Sequence, residues 1–355
     1  MRLRPLTRRL PGAVAMLAAA AVLIGGCDPA RDVARDHVTG LDRITGITRI
    51  AGITRIAGIT GLRHARAAAH VAHTRIARAH AAADHKPGGP KADGSRDPRE
   101  REWRLVWSDE FRGPARHRPD QAKWSFDRGG EPQWGNHEWQ YYTDRPGNVS
   151  LDGHGNLAVT ARHERVREVR GKRCGFGPCD ITSGRLTTKG KFARAYGRFE
   201  ARIKIPKGQG LWPAFWMLGA NVDKVTWPAN GEIDVMEALG RQPTMVHGTI
   251  HGPGYVAQGI ENHTTLARGG SLADGFHTYR VDWAPGKVTW YLDDRPYGTA
   301  CAGQLRHGQK WVFDHPHYLL LNLAVGGDWP GPPDRSTPFP ARMLIDYVRV
   351  YAHRG

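Results

Sequence analysis

The first 102 residues contain no tryptophan, tyrosine or phenylalanine, although the whole chain holds 12, 10 and 9 of them. Aromatic side chains supply much of the apolar area of a core, so this part of the chain is not expected to fold on its own. Cysteine is scarce too, with four in 355 residues, which excludes a small scaffold held by disulfides. Helical periodicity never runs beyond about two turns, which excludes helix bundles and doubly wound α/β folds. The net charge is +17, yet no basic stripe is interleaved with aromatics. No nucleic-acid partner is therefore expected.

The chain divides where the aromatics begin. Residues 1–27, "MRLRPLTRRLPGAVAMLAAAAVLIGGC", run from four arginines through an apolar stretch to small residues. That order is a secretory signal, and the apolar stretch is short and alanine-rich for a membrane span. Its end, Ile24-Gly25-Gly26-Cys27, resembles a bacterial lipobox, so lipidation of Cys27 and a membrane tether are expected. The protein is read as exported, either a cell-surface lipoprotein or secreted. Residues 28–102 carry two copies of Ile-Thr-Arg-Ile-Ala-Gly, then Ala/His/Arg-rich and Pro/Gly-rich stretches. Two copies are too few for a solenoid, and the segment reads as a disordered basic arm and linker.

Residues 103–355 are one domain of short strands and turns. In "YGRFEARIKIP", Phe199, Ala201, Ile203 and Ile205 fall on one face and Arg198, Glu200, Arg202 and Lys204 on the other, the period of a half-buried strand. "HTYRVDWAPGKVTWYLDDRPY" reads as strand, Pro-Gly turn, strand and Asp-Asp turn. Many short strands separated by Gly and Pro predict an all-β jelly-roll sandwich. An exported chain can form disulfides; Cys174 and Cys179, close together in "KRCGFGPCDIT", are the candidate pair, which leaves Cys301 as the odd thiol.

The stretch "WPANGEIDVMEAL" places Glu232, Asp234 and Glu237 inside an apolar strand. Buried acids need a reason. Residues 232 and 234 share a face, and 237 joins them only if one extra residue near Val235-Met236 makes a bulge. Cleavage of a glycosidic bond needs two carboxyl groups, one to protonate the leaving oxygen and one to attack or to activate water. Trp212, Trp216, Trp227 and Trp329 lie in Gly/Pro contexts at loops or strand ends, where ring faces suit the C–H face of a sugar.

"GEIDVME" resembles the signature of glycoside hydrolase family 16 in its bulged E-x-D-x-x-E, laminarinase-like form. "LVWSDEF", "EWQYYTDRPGNV", "TSGRLTTKGKFARAYGRFEARIKIP", "GLWPAFWMLG", "HGTIHGPGY", "LLLNLAVGGDWPG" and "MLIDYVRVY" are similar to that family in its usual order, from Trp103 to Ala352. The resemblance implies a concanavalin A-like jelly roll with a cleft on its concave face. It also implies a retaining endo-β-1,3-glucanase, monomeric and acting on β-glucan, with mixed-linkage glucan or galactan as the alternative polymers. Glu232 would be the nucleophile, Asp234 the assisting acid and Glu237 the general acid, then base. Trp212, Trp216, Trp227, Trp329, Arg185, Asn148 and His251 would bind substrate, with His247 near the acid. Catalysis would need no cofactor, and a structural calcium would take Glu110 and Asp346. A non-catalytic glucan-binding module is the other class of function, but it would be expected to have lost an acid, and all three are present.

Overall fold

The computed structural model describes residues 102–130, 132–174, 177–266 and 269–354. The signal segment, Cys27 and almost all of the arm lie outside the described residues. No helix among the described residues is long and apolar enough to cross a membrane.

Strands form because apolar side chains alternate with polar ones. Gly197–Lys204 alternates buried and half-buried positions along its whole length. It sits inside a ten-stranded sheet, between His277–Ala284 and the long strand Ala341–His353. A meander follows from His277–Ala284 through Lys287–Leu292 to Arg295–Cys301. Its second turn is Asp293-Asp294, both at positive φ, a geometry that Asp tolerates in tight hairpins.

A seven-stranded sheet lies opposite. Its order is Tyr255–Thr265, Met245–Gly252, Glu232–Glu237, Leu211–Gly219, His317–Val325, Arg185–Thr187 and Ser125–Phe126. The two sheets share one core. Phe199, Ala201, Ile203, Val281 and Trp290 come from the first sheet, and Phe215, Met217, Ile233, Leu319 and Leu321 from the second. The architecture is an all-β jelly-roll sandwich. Cys174 and Cys179 are joined by a disulfide that closes a small hairpin. Cys301 is also disulfide-bonded, so it is not an odd thiol.

Two expectations about polar residues are corrected here. Asn148 is fully buried; its amide donates to the Thr160 carbonyl and the Thr182 hydroxyl, and its oxygen accepts from Thr143. It ties loops together and has no free group for a sugar. Glu110 accepts from Nε and Nη2 of Arg349 at 2.9 and 2.8 Å, and Asp346 pairs with Arg202 at 2.8 Å. Calcium needs several oxygen donors free to converge. With a guanidinium on each carboxylate, these two side chains do not fit a calcium site.

Candidate active site

The strand Glu232–Glu237 has a β-bulge. Against Met245–Gly252, Asp234 pairs with Thr249 and Glu237 with His247, so two residues, Val235 and Met236, face the single residue Gly248. Against Leu211–Gly219, Trp216 pairs with Asp234 and Phe215 with Met236, so Val235 is skipped. Ile233, Val235 and Met236 all enter the core. Glu232, Asp234 and Glu237 are thereby left together on the outer face, which a regular strand would not allow.

The bulge is held from below. Trp290, buried in the opposite sheet, donates its indole N–H to the Asp234 carbonyl at 2.7 Å. Across from the bulge stands Gly248, where a Cβ would fall 2.2 Å from the Trp290 ring and 2.7 Å from the Tyr297 hydroxyl. Glycine is required at 248 because the indole fills that space.

Around the acids the outer face forms a set of cross-strand rows. Glu237 lies between Ala214 and His247, Asp234 between Trp216 and Thr249, and Glu232 between Leu218 and His251. Trp212 donates its N–H to Oε1 of Glu237 at 2.9 Å. His251 places Nε2 3.3 Å from Oδ2 of Asp234, and its Nδ1 donates to the Val256 carbonyl at 2.7 Å.

Burial drives the carboxyl pKa values up. Desolvation and then the charge of Asp234 push Glu237 well above the usual range, with His251 and the Trp212 N–H opposing. The same two causes raise Glu232 to about 8, against His251, a hydrogen bond from Trp227 and the charge of Arg185. Burial works to lower His251, but its bond to Asp234 and the charges of Asp234 and Glu232 outweigh it, holding the ring up at about 10. A cationic imidazolium is therefore built in beside three acids. Such a set can keep one carboxyl protonated while another carries charge.

The aromatic residues flank this centre. Trp227 is 45% exposed and lies beside His251. Trp329 meets Trp212 edge-on at 5.4 Å, and its loop is clamped by Arg241, which donates to the Trp329 and Pro330 carbonyls. Trp216 donates to Asn322 at 2.7 Å. The Arg185 guanidinium lies between the rings of Trp134 and Trp216, 4.4 and 4.8 Å from their centroids, and is bonded to Asp127. A guanidinium stacked on two indoles is fixed in position, so its remaining N–H groups are pre-aimed donors. The sequence reading did not anticipate the partnership of Trp134 and Asn322 with this group. A lone Asn in "LLLNLAV" was the available signal, since a buried polar side chain implies a partner.

A family model described as glycosyl hydrolases family 16 matches residues 135–349. The chain is 46% identical to the endo-beta-1,3-glucanase from Pyrococcus furiosus, covering 71% of this chain and 95% of that one, with a TM-score of 0.66. It is 44% identical to the laminarinase catalytic domain from Thermotoga maritima, over 72% of this chain and 100% of that one, with a TM-score of 0.65. A beta-glucanase from Rhodothermus marinus is 41% identical over 265 residues, 70% of this chain and 85% of that protein.

Proposed function

The chain belongs to glycosyl hydrolase family 16, and from that premise we propose that it is a retaining endo-β-1,3-glucanase acting on laminarin-like β-glucans. The observation that carries the reading is the bulge, which brings Glu232, Asp234 and Glu237 onto one aromatic-flanked face.

In the proposed mechanism Glu237, kept protonated by burial and by Asp234, donates to the glycosidic oxygen as the bond breaks. Glu232 attacks the anomeric carbon and forms a glycosyl ester. Glu237, now a carboxylate, then takes a proton from water, which attacks that carbon, and Glu232 departs. His251 supports this by balancing the negative charge of Asp234, and Trp212 orients the Glu237 carboxyl. Trp216, Trp227 and Trp329 offer ring faces or edges to the sugar, and Arg185 offers hydrogen-bond donors. No step runs through a metal.

Product analysis on laminarin, curdlan, lichenan and agarose tests the reading, with the anomer released first read by NMR. Internal cleavage of laminarin and curdlan with a β-anomer first is expected. An α-anomer would overturn the double displacement, and cleavage of agarose alone would overturn the substrate class.

For the first 27 residues we propose export, with lipidation of Cys27 as the tether, supported by the order of basic, apolar and small residues. The mass of the mature N-terminus is the test.

A further inference from the structure

Beyond the three acids, a second group of ionisable side chains converges on the same face of the seven-stranded sheet. His247 and His263 are directly opposed across the pair Met245–Gly252 and Tyr255–Thr265, while Glu261 opposes Thr249. Residues 261 and 263 share a face because strand side chains alternate. One donor atom from each of the three lies within 4.8 Å of the others. His247 Nδ1 is 2.7 Å from Oε1 of Glu261, and His263 Nδ1 is 3.4 Å from the same oxygen.

We propose that His247, Glu261 and His263 form a binding site for a zinc-class divalent cation on the edge hairpin of the seven-stranded sheet. Two imidazoles and a carboxylate are a zinc donor set, with a fourth position left for water. Tetrahedral ligation at about 2.0 Å puts ligands about 3.3 Å apart, against 2.7 Å for the His247–Glu261 pair and 3.4 Å for the His263–Glu261 pair. Imidazole donors also select zinc, copper or nickel over calcium and magnesium. The register of the hairpin fixes the three Cα positions, and Glu261 and His263 are exposed enough to close on an ion without disturbing the core.

Nδ1 of His247 and Oε1 of Glu261 share a hydrogen bond. The cation takes the place of the shared proton, and a neutral ring bound through Nδ1 carries its one proton on Nε2. Nε2 is buried and has no hydrogen-bond partner, so a proton there breaks no other bond. His247 also faces Glu237 across the ladder, but the proposed site stands on its three ligands whether or not the cleft cuts β-glucan.

Isothermal titration of the full chain with ZnCl₂ tests this against two variants, Glu261→Gln and His263→Ala. The arm between residues 28 and 102 carries six further histidines, so the difference between proteins is the readout. Both variants are expected to bind one equivalent less than the wild type, with no matching difference when CaCl₂ is titrated. Urea melts confirm that the variants fold, and both changes are on exposed side chains. Zinc stoichiometry and affinity unchanged in both variants would overturn the site. A difference that appears equally with calcium would overturn its zinc-class selectivity.

Discussion

Glu232 and Glu237 share their two main pKa-raising causes, burial and Asp234, but not their counterweights. Glu232 is opposed by His251, Trp227 and Arg185; Glu237 is opposed by His251 and Trp212. The extra cationic support from Arg185 favours charge on Glu232, as a nucleophile requires, and leaves the proton on Glu237. Glu232→Gln should therefore fold normally and lose at least about 10³-fold in kcat on laminarin. A variant with most of its activity would sink the nucleophile role. Trp212→Phe removes the one N–H donated to Glu237, an interaction that favours its charged form. Without it the carboxyl holds its proton to higher pH, so the alkaline limb of the kcat profile should move upward. A limb that stays in place or moves down would show that Trp212 does not act through this proton.

At the scale of the strand, the acids are only as well placed as the bulge beneath them. An extra residue leaves ladder groups without their regular partners, and the Trp290 indole takes up the Asp234 carbonyl. Trp290→Phe keeps most of the apolar volume and removes that donor. It should cost about 1–3 kcal/mol of stability, the range for a buried acceptor left unpaired, and lower kcat more than it changes KM. Gly248→Ala should also destabilise, by about 1–3 kcal/mol, because its Cβ would have to displace the same indole or shift the strand. Urea melts and steady-state kinetics measure both effects. Stability lost with kcat untouched would mean that the bulge tolerates movement and that Trp290 is only a core residue.

Across the whole molecule, what the sequence revealed follows the range of the interaction. Gly197–Lys204 was legible because alternation is a local property, and the bulge because Glu237 was misplaced on any regular strand. Asn148 was misplaced because a motif match to a polar cleft position does not show whether the side chain faces the cleft or is saturated inside. The resemblance assigned a calcium to Glu110 and Asp346, and their arginine partners, 239 and 144 residues away in sequence, were not legible. The cluster of His247, Glu261 and His263 exists only once hairpin register is known. The same long range governs acid stability. His317, at the start of His317–Val325, is fully buried and packs edge-on against Trp283 of the other sheet at 5.0 Å. Its Nδ1 donates to the His315 carbonyl, and Nε2 is buried without a partner above Gly231. Burial, and less strongly the neighbouring His315, lower its pKa from 6.5 to about 4, with the His315 carbonyl and Asp314 pulling the other way. Above pH 6.5 the ring is neutral whether the chain is folded or not, and it adds no pH dependence. Below that the unfolded chain takes up a proton that the folded one refuses, so stability falls with pH until the folded ring titrates near 4. At pH 4.5 the loss from this one group is about 2–3 kcal/mol. His317→Gln has nothing to titrate, so between pH 7 and 4.5 it should lose less stability than the wild type by about that amount, measured by urea unfolding at each pH. Equal losses in the two proteins would show that the ring takes up its proton in the folded state as readily as in the unfolded one.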